Sequence, residues 1–379
     1  MSDVTAEIPA PRANPHLIGQ GAAESALLQA WQSGRIPHGW LIAGPRGIGK
    51  ATLAYRFARF VLAEAAQAGT GQNALFGGPA GPPADTLALD ANHPVFRRVA
   101  AGGHPDLFTL ERGMMHPDTR KPTNEIVVPH VRRVNEQVRL TPVEGGWRVA
   151  IVDEAEAMNT NAANALLKVL EEPPAKALIL LVSHAPGRLL PTIRSRCRLL
   201  SLPALPNEDV DGLLQRYRPD LAPADRATLV RLGDGSIGRA LELEARGGAE
   251  LYGELVDLLA RLPKLDIPAV HSFAEKMAKR AADGGTEDAA IGFRTSVELL
   301  SDWTGRLVKL AATGEMPSGW QDEVALAQRL VTRGPRPWLD TGERIRRLGS
   351  ATEGVNLDRR QAIVAAFLAI EEAARAAAA

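Results

Sequence analysis

Residues 40–50 read WLIAGPRGIGK, and this stretch decides the fold. The apolar run at 40–43 has the length and composition of a buried strand, and apolar residues recur at helical spacing after the lysine. Between them lies G-x-x-x-x-G-K, in the strand–loop–helix order of a phosphate-binding loop. A chance glycine-rich turn is the alternative, but the order of the parts favours a loop whose amides and lysine hold phosphates. The residues concerned are Gly44, Gly47, Gly49 and Lys50.

The position after the lysine departs from this pattern. The motif has Ser or Thr there as a magnesium ligand, whereas this chain has Ala51. Thr52 comes next and is a candidate nucleotide contact, but it lies about 100° further round a helix and does not simply replace the missing hydroxyl. We therefore expect ATP with Mg²⁺ as the ligand, bound but not rapidly hydrolysed.

A second apolar strand, predicted at Arg148–Val152, ends in Asp153 and Glu154. Many strands end in acidic loops, so this feature alone is weak evidence for a nucleotide site. Together with a phosphate loop it predicts that Asp153 holds magnesium and that Glu154 polarises an attacking water if the chain is an active ATPase.

Composition excludes several classes of protein. The chain has 379 residues, 45% of them hydrophobic and 23% charged, and its 44 basic residues balance its 44 acidic ones. No overall charge therefore draws it to nucleic acid. The single cysteine, Cys197, excludes a disulfide framework and is expected to be a small buried apolar residue. With neither a membrane-spanning run nor a signal-like N-terminus, a cytoplasmic multidomain protein is expected.

Strands alternate with helices in the first half of the chain and helices dominate the second, so we predict a doubly wound parallel sheet followed by two helical domains. The histidines at 93, 104 and 116 are expected at the surface, within or near a Gly/Pro-rich insertion. The predicted domains are a disordered leader at 1–15, an α/β domain at 16–203 with the insertion at about 66–105, a small helical domain at 204–245 and a larger one at 246–379.

Further stretches carry a specific resemblance. They are EAMN at 156–159, AANALLKVLEEPP at 162–174, LLPTIRSRC at 189–197 and NLDRR at 356–360. Together they resemble the clamp-loader branch of the AAA+ ATPases, and within it the bacterial DNA polymerase III clamp loader. The resemblance implies a P-loop AAA+ domain, a helical lid and an all-α collar. It is specific over about residues 15–245 and weaker beyond.

The resemblance also implies roles. The chain would be a stator-like subunit that helps to load the sliding clamp onto primed DNA, beside γ/τ motor subunits and a δ subunit. Arg196 would be an arginine finger for the ATP of a neighbouring subunit; without the motif, an arginine paired with a local carboxylate would be the better interpretation. Ser183 or His184 would be the sensor 1 residue. Arg239 would be the sensor 2 arginine, although it comes one position later than usual.

Two further expectations concern metal and DNA. Many family members carry four cysteines between the phosphate loop and the acidic strand; here that interval has none, so no zinc is expected. Arg132 and Arg133 lie on a predicted helix at 129–138, whose position resembles the family's DNA-facing helix. An ordinary solvated helix face explains them equally well.

Two alternatives to the stator remain. The first is a γ/τ-type motor that itself binds and hydrolyses ATP, favoured by Lys50, Asp153 and Glu154 and opposed by Ala51. The second is an unrelated AAA+ remodelling protein, which would leave the 162–174 and 189–197 stretches without an explanation. No polymerase active site is visible in the sequence, so polymerase activity would belong to the holoenzyme.

Overall fold

A computed structural model describes residues 8–69, 84–117, 119–144, 146–284, 286–317, 319–355 and 357–378. The chain divides into two compact units. One covers Met1–Pro219 and Asp234–Gly238, and the other covers Asp220–Gly233 and Arg239–Ala379. The segment 204–245, expected as a separate small domain, is shared between the two units.

The first unit is built from alternating strands and helices. Its described strands are β1 (Gly39–Ala43), β2 (Leu107–Leu110), β3 (Arg148–Val152), β4 (Ala177–Ser183) and β5 (Arg198–Ser201). Its described helices are α1 (Gly21–Gln32), α2 (Lys50–Gly69), α3 (Pro94–Ala100), α4 (Val128–Arg139), α5 (Thr160–Glu171), α6 (Pro191–Arg194) and α7 (Asn207–Tyr217).

The strands form one parallel sheet in the order β2-β3-β4-β1-β5. Every residue of β1, β3 and β4 is buried, as expected for central strands covered on both faces. Because side chains alternate along a strand, Leu41, Val152 and Ile179 face the core that α4 and α5 complete, while their neighbours face the opposite side, where α2 packs. Because the strands are parallel, the carboxyl ends of β1, β3 and β4 lie at the same edge of the sheet. Ligands bind at this edge in such folds.

The predicted parallel P-loop domain followed by a helical region is confirmed. The strand at 148–152 has the predicted bounds. Inside the segment predicted as irregular, however, α2 continues to Gly69 and α3 forms at 94–100, where His93 caps the helix by accepting the Val95 N–H at 3.2 Å. Residues 70–83 lie outside the described residues.

The prediction of a disordered leader is wrong for its last residues. Residues 11–13 form a 3₁₀ turn, and the buried Arg59 of α2 donates to the carbonyls of Arg12 at 2.8 Å and Asn14 at 2.9 Å. The same guanidinium lies 4.4 Å from the centre of the Phe96 ring, and burial lowers its pKa to about 10. The contacts that order this segment are more than 40 residues away in sequence, which is why local composition missed them. Residues 1–7 lie outside the described residues.

The expectation that His104 lies at the surface is also wrong. Its ring is buried beside the Glu144 carboxylate, at 3.6 Å, and burial lowers its pKa against the attraction of that carboxylate. Asp106, also buried, accepts the backbone N–H groups of Val143 and Glu144 at 2.9 and 3.0 Å. His104 and Asp106, polar side chains of a kind usually found at the surface, are therefore buried and hold the loop that leads into β3. Cys197 is half-buried against the α4–α5 core, and burial raises the pKa of its thiol to about 12.

The second unit is helical throughout its described residues. Its helices are α8 (Pro223–Gly233), α9 (Ile237–Ala245), which begins at the boundary of the units, α10 (Gly248–Leu259), α11 (Ile267–Gly284), α12 (Thr286–Thr313), α13 (Val324–Leu330), α14 (Arg336–Val355) and α15 (Arg359–Ala378). Helices α11, α12, α14 and α15 pack together around edge-on aromatic pairs such as Trp303–Trp338, whose centroids are 5.8 Å apart. Across the described ranges, no helix combines the length and apolar character needed to cross a membrane.

Candidate functional site

The phosphate loop joins the carboxyl end of β1 to the first turn of α2. Gly44, Gly47 and Gly49 have φ angles of +154°, +74° and +97°, which residues with a Cβ rarely adopt. A Cβ on Gly47 would lie only 2.3 Å from Ser236 Oγ and 2.9 Å from Gly238 Cα. The glycines predicted from the motif are thus required by backbone conformation, and at Gly47 also by close packing.

Two long-range contacts brace this loop. The Gly238 N–H donates to the Gly47 carbonyl at 3.0 Å. The buried side chain of Gln20 donates through Nε2 to the carbonyls of Ile48 and Pro203, both at 3.2 Å. Sequence analysis missed Gln20, because a single glutamine before a helix carries no signal until the fold brings the loop to it.

Lys50 begins α2 and is 7% exposed. Its Nζ donates to the Pro45 carbonyl at 2.5 Å, so the ammonium closes back on its own loop. Burial lowers the pKa of Lys50, while the carboxylates of Asp153 and Glu156 act in the opposite direction. The lysine and the acidic strand end, more than 100 residues apart in sequence, therefore share one electrostatic environment.

Asp153 and Glu154 follow β3, as predicted. Asp153 Oδ1 accepts the Glu154 N–H at 2.9 Å, and burial raises the pKa of Asp153. Glu154 has a left-handed backbone (φ +50°), and its Oε1 lies 3.5 Å from Nη2 of Arg46 in the phosphate loop. The sheet thus brings the two predicted carboxylates to the loop. The Glu154 carboxylate lies beside the guanidinium of Arg46.

The first turn of α2 contains Ala51 and the buried Thr52. Alanine offers no oxygen to a metal, so the residues here fit the phosphates of a nucleotide better than its magnesium. Within the described ranges, no group of three or more His, Cys, Asp or Glu side chains is arranged to hold a metal ion. The role of Thr52 as a nucleotide contact stays a prediction.

Ser183, at the end of β4, is fully buried and accepts the Ala185 N–H at 3.2 Å. It also hydrogen-bonds Glu156, whose carboxylate pairs with His184 Nδ1 and accepts the His184 N–H at 3.0 Å. Burial raises the pKa of Glu156, but these hydrogen bonds outweigh it and the pKa is lowered overall. Both sensor 1 candidates therefore contact Glu156, the first residue of the EAMN stretch, to which sequence analysis assigned no role of its own. A third acidic residue within four positions of the strand end was the available signal.

Arg196 lies in the turn between α6 and β5. Its Nη2 pairs with Glu171 Oε1 at 2.8 Å, and its Nη1 donates to the Thr192 carbonyl at 3.0 Å and to Ser195 Oγ at 3.4 Å. The side chain remains 36% exposed. Glu171 is therefore the local carboxylate expected if Arg196 were only a structural arginine. The guanidinium nevertheless remains partly exposed at the surface.

The remaining predicted site residues are Arg132, Arg133 and Arg239. Arg132 and Arg133 are exposed on α4, whose opposite face is buried by Val131 and Val134. Arg239 pairs with Asp302 and, at 3.2 Å, with Glu298, both on α12 within the second unit. Burial raises the pKa of Asp302 against the attraction of Arg239. Nucleotide contact by Arg239 stays a prediction.

Comparison with known proteins bears on this geometry. Residues 83–206 match the family model described as "DNA polymerase III, delta subunit". The chain is 37% identical over 233 residues to DNA polymerase III subunit delta′ of Pseudomonas aeruginosa, covering 61% of this chain and 63% of that protein. It is 35% identical over 217 residues to subunit delta′ of Escherichia coli, covering 57% of each. It is 27% identical over 353 residues to subunit gamma/tau of Mycobacterium bovis, covering 90% of this chain and 55% of that protein.

These matches confirm the resemblance predicted from the sequence motifs. The matched region spans less than two thirds of the length of either delta′ relative. The family model covers β2 to β5, which includes the acidic strand end and Arg196, and it begins after the phosphate loop.

Proposed function

We propose that this chain, which is similar to DNA polymerase III subunit delta′ over about three fifths of its length, is a stator-like subunit of a clamp-loader complex. In this role it helps to load the sliding clamp onto primed DNA and supplies Arg196 in trans to the ATP of a neighbouring subunit. The observation that carries the proposal is the arrangement of Arg196, which its own chain holds on two sides at the surface.

A guanidinium suits this role because it is always charged and presents several N–H donors in one plane. Phosphoryl transfer spreads negative charge over the γ-phosphate oxygens, and an arginine supplied by a neighbour stabilises that charge. Arg196 follows the short helix α6 and precedes β5, one of the two edge strands of the described sheet. This position favours contact with a neighbouring subunit.

The chain's own nucleotide site is proposed to be slow or vestigial. The loop amides and Lys50 would hold the phosphates of ATP, and Asp153 would be the acidic contact to magnesium, which neutralises phosphate charge when bound. Ala51 removes one magnesium ligand, and Lys50 must exchange its bond with Pro45 for a phosphate. The missing magnesium ligand weakens turnover more than phosphate binding, whereas the bond between Lys50 and Pro45 opposes binding itself.

The proposed partners are γ/τ motor subunits, a δ subunit and, through the complex, the sliding clamp. Arg132 and Arg133 are proposed to contact the backbone of primed-template DNA, since they are exposed on the face of α4 away from the core. Contacts of this kind are independent of base sequence and weaken as salt rises.

A second candidate function is that of a γ/τ-type motor that binds and hydrolyses ATP itself. Two observations favour it: Lys50 and Asp153 share one electrostatic environment beside Glu154, and the gamma/tau relative aligns with 90% of this chain. In that case Glu154 would act on the attacking water, after leaving Arg46.

The test is DNA-stimulated ATP hydrolysis by the loader reconstituted with its partner subunits and clamp. Arg196→Ala and Lys50→Ala in this chain are compared with Arg194→Ala, an exposed arginine whose side chain has no hydrogen bond or ion pair among the described residues. A stator predicts that Arg196→Ala lowers single-turnover hydrolysis at the adjacent site by roughly a thousandfold, while the other two variants change little. A larger loss with Lys50→Ala would identify a motor and reject the stator.

A further inference from the structure

The carboxyl end of α5 carries acidic side chains, which are unfavourable at the C-terminus of a helix. Glu171 is the last helical residue and Glu172 is the C-cap, so two carboxylates lie where the helix carbonyls already place partial negative charge. Both side chains are exposed, and Pro173 follows at once. A residue that opposes local preference often serves a function.

The two carboxylates differ in their partners. Glu171 Oε1 lies 2.8 Å from Nη2 of Arg196, whereas Glu172 has no ion pair or side-chain hydrogen bond within the described ranges. The contact with Glu171 crosses from α5 to the turn after α6, two elements that pack against each other. Glu171 is thus the side chain that ties Arg196 to the domain.

The contacts of the guanidinium divide into two groups. Nη1 donates to the Thr192 carbonyl in α6 and to Ser195 Oγ in the turn, and Nη2 forms an ion pair with Glu171 on α5. An arginine has five N–H groups, so the N–H of Nε and one N–H of Nη2 remain for another acceptor. The guanidinium can therefore keep its local contacts while it binds a phosphate.

We propose that Glu171 is a positioning residue for Arg196: it holds the guanidinium in the orientation from which its remaining N–H groups meet the phosphate of a neighbouring subunit. The inference rests on the proposed trans role of Arg196. The pair is 36% and 46% exposed, so it adds little to folding stability. Its effect is to limit the rotamers of a long side chain before the phosphate arrives, which reduces the ordering needed at the moment of reaction.

The experiment uses the reconstituted loader, with Glu171→Gln compared with Glu172→Gln. The two variants remove the same charge from adjacent exposed positions, but only the first removes the partner of Arg196. Glu171→Gln is expected to lower kcat of DNA-stimulated hydrolysis roughly tenfold through misplacement of the finger. KM for ATP and the denaturation midpoint should stay unchanged, because nucleotide is bound by the neighbour and the pair is exposed. Glu172→Gln should match the wild-type.

A double-variant cycle separates this inference from the proposed function. If Glu171 acts through Arg196, then Glu171→Gln has no further effect in the Arg196→Ala background. Equal activities for Glu171→Gln and Glu172→Gln, with Arg196→Ala strongly impaired, would overturn the positioning role and leave the finger intact. An unimpaired Arg196→Ala variant would overturn both. A lower denaturation midpoint for Glu171→Gln would identify a structural role instead and also reject the inference.

Discussion

The packing of the phosphate loop predicts the outcome of replacing Gly47 by alanine. An alanine at φ +74° costs about 1–2 kcal/mol because its Cβ approaches the following carbonyl. The new methyl would also lie 2.3 Å from Ser236 Oγ and 2.9 Å from Gly238 Cα, so the loop or the 235–238 turn must move. Overpacking of this kind costs about 1–3 kcal/mol. Together, Gly47→Ala is expected to destabilise the first unit by about 2–5 kcal/mol.

Gly34 provides a matched control. It has nearly the same conformation, φ +67°, but a Cβ there meets nothing within 4 Å. Gly34→Ala should therefore show only the backbone part, about 1–2 kcal/mol. Hydrogen exchange of α2 peptides along a urea series follows unfolding of the first unit separately from the second. Equal losses of stability in the two variants would show that the 235–238 turn does not press on the phosphate loop, and would refute the packing argument.

Two further predictions concern charged side chains in the same unit, the buried Arg59 and the half-buried Asp153. Arg59→Ala removes the donors to the carbonyls of Arg12 and Asn14 and should cost roughly 2–4 kcal/mol, with faster proteolysis near residue 12; unchanged proteolysis would contradict the anchoring role. Asp153→Asn should raise the urea midpoint at pH 7, because burial disfavours the charged carboxylate and raises its pKa. Since a raised folded-state pKa means stability is lost as pH rises through it, the advantage of the variant should shrink as pH falls and Asp153 becomes protonated. An advantage independent of pH would contradict this assignment.

The sequence predicted the central strands well because their signals are local. Buried parallel strands are short apolar runs, and the phosphate loop needs glycines whatever the rest of the chain does. Arg148–Val152 was therefore found with the bounds that the structure has, and the predicted run at 40–43 lies within β1.

Predictions from local composition were wrong where contacts with residues distant in sequence hold a segment in place. Residues 11–14 have no apolar pattern of their own, and the chain there is held by Arg59, one of the most buried side chains in the protein. His104 was expected at the surface but is buried beside Glu144, 40 residues further on. Buried charges are rare enough that sequence analysis places them outside by default.

The phosphate loop, the acidic strand end and the motif that contains Arg196 could be predicted because each is encoded in a few consecutive residues, and the parallel sheet could be predicted from the alternation of strands and helices. The partners of those groups became visible only in the folded chain: Pro45 for Lys50, Glu156 for the sensor 1 candidates and Glu171 for Arg196. The physical reason is that hydrogen bonds and ion pairs act over a few ångströms, so a side chain's partner depends on which elements the fold brings beside it.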